Sequence, residues 1–101
     1  MKYKIMLACM GGFSTGMLVK KMRAAAQEKN MDVDIEAVAE TELMKLEFPD
    51  ILLLGPQVSH MLADLQTQFP FPVRVIEPVD YGMMNGEKVL DTALRELQRH
   101  R

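Results

Sequence analysis

The residues best suited to chemistry stand together near the amino end, in Cys9-Met10-Gly11-Gly12-Phe13-Ser14-Thr15-Gly16. A thiol is followed by two glycines that free the backbone to turn sharply, then by two hydroxyls where a helical pattern begins. Successive unpaired N–H groups in such a turn form an anion-binding concavity, and a helix N-terminus adds partial positive charge. The same field lowers the pKa of a thiol and favours the thiolate. A nucleophile among donors spaced for a phosphate points to transfer of a phosphoryl group through cysteine. Taken singly, each feature has a plainer explanation. A lone cysteine at a strand end is commonly a small buried hydrophobe, Ser14 or Thr15 alone an N-cap, and two glycines a tight turn. Their coincidence carries the chemical reading.

Spacing separates this loop from two other phosphate loops. A nucleotide-binding loop needs G-x-x-x-x-G-K-[ST]. Here Gly11 is followed five residues later by Gly16, but Met17 and Leu18 replace the lysine and the hydroxyl. Low-molecular-weight tyrosine phosphatases carry C-x5-R-[ST], and the arginine position is Thr15 in this chain. Without a bidentate guanidinium, a transition state with three charged oxygens loses its main side-chain clamp. Such a loop holds a phosphoryl group without strongly promoting its hydrolysis, which suits a carrier better than a phosphatase.

Two alternating periods give the elements that must position this loop. Ile5 to Cys9 is continuously apolar and reads as a strand buried on both faces. From Ser14 the period becomes helical, with Leu18, Met22 and Ala25-Ala26 on one face and Lys20, Arg23 and Gln27 on the other. Asn30 suits the helix end. Val33 to Ala39 alternates as a half-exposed edge strand, with Val33, Ile35, Ala37 and Ala39 inward. Thr41 to Lys45 reads as one short helical turn. Ile51 to Leu54 is a second wholly apolar strand, and Val58, Met61, Leu62, Leu65 and Phe69 predict one helix after it. Val73 to Ile76 is the fourth strand. A loop through Tyr81-Gly82 and Asn85-Gly86 then leads to a helix buried along Leu90, Ala93, Leu94 and Leu97. Strands separated by helices imply a parallel sheet with right-handed crossovers. The fold class is therefore α/β: a single open four-stranded parallel sheet, order 2-1-3-4, with helices on both faces and a phosphatase-like loop after strand 1. The order reverses between strands 1 and 3, and ligands in such sheets sit beyond the carboxyl ends of the strands at the reversal. Topology and loop chemistry point to the same place.

Composition agrees. One domain, residues 1–101, is expected from a chain of this length. Its 49% hydrophobic and 26% charged residues are those of an ordinary globular protein. A formal net charge of -2 argues against a nucleic-acid partner, which would favour a basic stripe. One cysteine excludes an internal disulfide and fits a reducing cytoplasmic setting. The apolar run from Ile5 is far short of the ~20 residues of a membrane span, so no direct membrane insertion is expected. The ten methionines read mainly as gap-filling core residues.

With these residues in order, the chain resembles the enzyme IIB components of the bacterial sugar phosphotransferase system, of the lactose/cellobiose (chitobiose) class. Cys9 followed by Gly12-Phe13-Ser14-Thr15 stands where that family usually shows C-x-x-G-M-S-T-S. Leu18-Val19, Lys21-Met22-Arg23, Ile35-Glu36-Ala37, Leu53-Leu54-Gly55-Pro56-Gln57, Tyr81-Gly82 and Asn85-Gly86 follow at the family's spacing. Phe13 and Gly16 depart from the usual methionine and serine, so no phosphate contact is assigned to the Gly16 side. The resemblance implies that Cys9 accepts a phosphoryl group from a phosphohistidine of the IIA component and passes it to a β-linked disaccharide, such as cellobiose, chitobiose or lactose, bound by the membrane-embedded IIC component. It implies a phosphate site made of Met10, Gly11, Gly12, Phe13, Ser14 and Thr15, mostly by backbone N–H groups. It also implies a cytoplasmic phosphoprotein, peripheral to its membrane transporter.

Other candidates rank lower. Gln57 follows strand 3 on the same rim as Cys9 and is a candidate site contact; Tyr81 follows strand 4 on that rim and is a candidate for docking a partner. His60 lies off the apolar stripe of its helix, a surface position rather than a base, and His100 complements a helix end. Glu36, Glu40 and Glu42 read as a solvated edge. No cofactor is expected, and one cysteine with two distant histidines gives no metal site. The competing functions are a low-molecular-weight phosphatase-like enzyme and a non-enzymatic thiol regulatory module.

Overall fold

The two wholly apolar segments are central because each must be covered on both sides. In the computed structural model, which describes residues 3–9, 13–39 and 48–99 apart from the side chains of 9, 13 and 14, β1 (Tyr3–Cys9) and β3 (Ile51–Leu54) lie side by side. They are flanked by β2 (Val33–Ala39) and β4 (Val73–Val75). All pairs are parallel and the order is β2-β1-β3-β4, as the sequence predicts. Helices α1 (Phe13–Glu28) and α4 (Gly86–Arg99) cover one face. A 3₁₀ segment (Pro56–Met61) and α2 (Leu62–Gln68) cover the other. A short α3 (Pro78–Gly82) stands between β4 and α4.

Period-2 alternation divides the core in two. Ile5 and Leu7 of β1, with Ile51 and Leu53 of β3, meet Leu18 and Met22 of α1 and Leu90 and Ala93 of α4. Met6, Ala8, Leu52 and Leu54 point the opposite way, onto Val58, Leu65 and Phe69. Burying a side chain of this size is worth about 1.5–3 kcal/mol. One residue of register slip would exchange the two sets and put each against the wrong helix. The outer strands are finished by side chains: the Arg23 Nε–H donates to the Ile35 carbonyl, and Gln66 and Arg74 donate to the Val73 carbonyl. Such caps blunt edges that would otherwise invite another strand. Asn30 closes α1 with φ 54, and the Met31 N–H reaches back to the Ala26 carbonyl at 2.9 Å, the helix ending its sequence predicts.

Several local expectations are corrected. The single helix over Val58–Phe69 is instead a 3₁₀ segment and a separate α2, with Val58 at φ -117 and ψ 21. Val58 is fully buried, so its seat in the core outweighs regular helical dihedrals. The segment at Tyr81-Gly82 is helical rather than a loop, because Pro78 at the helix start supplies the right φ without an orphan N–H. β4 ends at Val75, one residue early. On β2 only Ile35 is fully buried, and Ala37 is exposed. In α4 Val89 is buried and Leu94 only half-buried. Met6 and Met22 fill the core, but Met17, Met31 and Met83 are exposed. The turn expected at Thr41–Lys45 lies outside the described residues.

Candidate functional site

Cys9 is the last residue of β1 and pairs with Ala39 of β2. The chain is helical again at Phe13. A central strand thus delivers Cys9 to the carboxyl rim at the point where the strand order reverses, and α1 starts four residues later. Met10, Gly11 and Gly12 lie outside the described residues, as do the side chains of Cys9, Phe13 and Ser14.

The neighbouring turn is tied directly to this point. The Gly55 N–H donates to the Ala8 carbonyl at 2.9 Å, extending the β1–β3 ladder to the residue before Cys9. Pro56 and Gln57 then open the 3₁₀ segment, and Gln57 is exposed beside that rim. Gly16 on α1 is exposed, and a Cβ there would meet nothing within 4 Å. The serine usual at this place would fit, so its absence is not a matter of space.

Thr15 is 2% exposed, and its Oγ1 lies 2.9 Å from the Tyr81 hydroxyl, in a buried hydrogen bond spanning 66 residues. Tyr81 itself is 7% exposed, with its ring in the core beneath α1 and α4. The structure therefore joins two residues that the sequence suggests for different tasks. Tyr81 lacks the exposure that an aromatic docking residue needs. Exposed apolar side chains occur instead on the two helices that this bond joins: Met17 on α1, and Val79 and Met83 at α3. Sequence reasoning missed them because a methionine in an amphipathic helix reads as core.

The remaining candidates stand apart. His60 and Glu36 are exposed; Glu40, Glu42 and His100 lie outside the described residues. A cavity of about 110 Å³ lies between β4 and α4, lined by Leu53, Arg74, Val89, Thr92 and Glu96 among others. Among the described residues its lining includes none of Thr15, Gln57 or Tyr81, so it stands apart from those three candidates. Beside it the buried Asp80 carboxylate faces the Lys88 amine at 3.5 Å, and Arg74 pairs with Glu96 at 3.2 Å. Among the described residues no three His, Cys, Asp or Glu side chains gather as a metal site, and no helix is long and apolar enough to cross a membrane.

Residues 4–92 match the sequence profile of the family described as "PTS system, Lactose/Cellobiose specific IIB subunit". The chain belongs to that family. Its members are phosphotransfer proteins of sugar uptake. Among curated relatives it is 41% identical to the galactose-specific EIIB component of Lactococcus lactis subsp. cremoris, over 88% of this chain and 91% of the relative. It is 38% identical to the oligo-beta-mannoside-specific EIIB component of Bacillus subtilis, over 90% and 92% of the two chains. Among solved structures, the cellobiose-specific IIB component of Borrelia burgdorferi superposes with a TM-score of 0.82 at 35% identity, covering 98% of this chain and 94% of that one. The lactose-specific IIB domain of Streptococcus pneumoniae gives 0.81 at 16% identity, covering 94% and 97%, which speaks for the fold alone. The IIB family thus accounts for the sheet order.

Proposed function

We propose that the chain acts as one domain that carries a phosphoryl group on Cys9, between a phosphohistidine of a IIA component and a sugar held by a IIC component. The observation that carries this reading is the placement of the sole cysteine of a IIB-family chain at the end of a central strand, at the sheet's reversal point. In the first step the Cys9 thiolate attacks phosphorus, the S–P bond forms, the P–N bond breaks, and the histidine nitrogen keeps the electron pair. In the second step a sugar hydroxyl attacks phosphorus, the O–P bond forms and its proton leaves, and the S–P bond breaks to restore the thiolate. Backbone N–H groups of residues 10–15 hold the phosphoryl oxygens through both steps. Phosphorylation adds about -1.5 to -2 charge. No lysine or arginine lies within residues 9–16, so backbone dipoles carry most of the stabilisation, and the holding is transient, as a carrier requires.

The acceptor is a β-linked disaccharide such as cellobiose, chitobiose or lactose, and the chain works at the cytoplasmic side of its transporter. Exposed Met17, Val79 and Met83 offer apolar contact for a protein that must bring its reacting group to the rim. A phosphatase reading is disfavoured, because the residue at the arginine position of such a loop, Thr15, is buried and bonded to Tyr81. The test is a chase. The chain is labelled from phosphoenolpyruvate through the general phosphotransferase proteins and a IIA component, then mixed with vesicles carrying a IIC component and each disaccharide in turn. Label that leaves the protein only when one sugar is present supports the reading and names the sugar. Label that leaves equally fast in buffer refutes it in favour of hydrolysis.

A further inference from the structure

We infer that Tyr81 is a positioning residue for the phosphoryl-accepting loop and acts through Thr15; the inference rests on the carrier function proposed above. Thr15 is the third residue of α1, in the turn whose N–H groups have no partners within the helix. That turn connects the loop to the rest of α1, so its orientation fixes where those donors and the helix dipole point. The only described polar contact of the Thr15 side chain is the Tyr81 hydroxyl. The contact is buried, so it is not exchanged for water, and it ties the turn to α3, the short helix that follows β4 in the chain.

A second anchor lies further along the same helix. Gly86 opens α4 so close to α1 that a Cβ there would fall 2.6 Å from the Lys21 carbonyl carbon and 2.7 Å from the Met22 nitrogen. Residues 81 and 86 thus fasten α1 at Thr15 and at Lys21–Met22, roughly two turns apart. The segment between them is itself ordered. The Met84 N–H donates to the Tyr81 carbonyl, the Asn85 N–H to the Asp80 carbonyl, and the Asn85 Oδ1 accepts from the Lys88 N–H. The Tyr81-Gly82 and Asn85-Gly86 pairs therefore have a shared role: they splint the helix that carries the loop.

The experiment compares Tyr81→Phe, Thr15→Val, Thr15→Ser and the double variant Thr15→Val/Tyr81→Phe with the wild type. Alkylation rate of Cys9 against pH and the rate of phosphoryl acceptance from a phosphorylated IIA component are read alongside the melting temperature. Tyr81→Phe and Thr15→Val should raise the pH at which Cys9 becomes reactive. They should slow phosphoryl acceptance about tenfold, below the ~100-fold that a 1 Å misplacement can cost. Thr15→Ser keeps the hydroxyl that meets Tyr81 and should therefore rescue, relative to Thr15→Val, both the pH profile and the acceptance rate. The double variant leaves no buried hydroxyl without a partner, so its melting temperature should recover relative to either single change while its reactivity stays impaired. If the single variants only melt earlier, with unchanged pH profiles and acceptance rates, Tyr81 is merely structural and the inference is overturned. A wild-type chain that accepts no phosphoryl group would instead overturn the carrier function.

Discussion

Replacing Gly86 by alanine tests how closely α1 and α4 are packed, and two opposing terms decide the outcome. Alanine restricts the unfolded chain, which favours folding by about 0.4–1 kcal/mol, and its better helix propensity counts for less at the first helical position than within a helix. Against this, the new Cβ would lie 2.6 Å from the Lys21 carbonyl carbon, 2.7 Å from the Lys21 Cβ and 2.7 Å from the Met22 nitrogen. Carbon atoms ordinarily rest about 3.5–4.0 Å apart. Two of the three atoms are backbone of α1, so no side-chain rotation relieves the clash, and α4 must move away by roughly 1 Å. That movement loosens Leu18, Met22, Leu90 and Ala93, all fully buried in the same cluster. Overpacking of this kind costs about 1–3 kcal/mol, so at the middle of both ranges the clash wins by about 1–2 kcal/mol. For a domain of this size that is a fall of roughly 4–16 °C in melting temperature. Gly82→Ala is the control, because a Cβ there meets nothing within 4 Å, and it should melt at or slightly above wild type. Thermal unfolding followed by circular dichroism reads both. A Gly86→Ala melting temperature equal to or above wild type would refute the close approach, since only the entropic term would then remain.

Three further outcomes are expected. Cys9 should alkylate with an inflection below the unperturbed thiol value of about 8.5; an inflection at or above it would mean that the loop is not arranged around an anion in the free protein. Gly12→Val should leave the chain folded, by circular dichroism, yet slow phosphoryl acceptance, with Gly11→Ala much milder, because converging N–H groups usually need a residue at positive φ; wild-type rates for Gly12→Val would exclude a backbone cradle. The Lys29 amine is held above its ordinary pKa, chiefly by its hydrogen bond to Asp91 at 2.9 Å. The stabilisation from that pair is therefore complete below the unfolded lysine pKa and lost as pH rises through the folded one. Urea midpoints of wild type and Asp91→Asn should differ slightly at neutral pH and converge once the pH has risen past the raised folded value, and a gap that persists there would show that the pair is not its source.

The sheet was legible because burial on both faces leaves a local mark. Ile5–Ala8 and Ile51–Leu54 carry no polar residue, the run that a strand buried on both faces of a parallel sheet needs. β2 was legible as an edge from its interleaved Asp34 and Glu36, and the order 2-1-3-4 followed. Two elements were hidden by competing demands. The apolar stripe from Val58 to Phe69 is consistent with one helix, but fully buried Val58 leaves helical dihedrals and the first turns are 3₁₀. The short helix at Tyr81 has too few residues to show a period, and Pro78 was its only signal. The rim itself was legible, since Cys9 and Gly55 both end central strands. The Thr15–Tyr81 bond and the contact of Gly86 with α1 were not. Each joins residues more than sixty apart, and a hydroxyl or a glycine looks the same in sequence whether it faces a ligand, a solvent or another helix.

The carrier role of Cys9 is tested most directly by locating the phosphoryl group. Wild-type protein and Cys9→Ser are incubated with phosphoenolpyruvate, the general phosphotransferase proteins and a IIA component, and their intact masses are measured, followed by peptide mapping under conditions that preserve phosphothiol. Wild type should gain one phosphate, on the peptide containing Cys9, and Cys9→Ser should gain none. A Cys9→Ser protein that takes up phosphate as fully as wild type, or a wild-type label on a histidine or serine peptide without Cys9, would contradict the assignment.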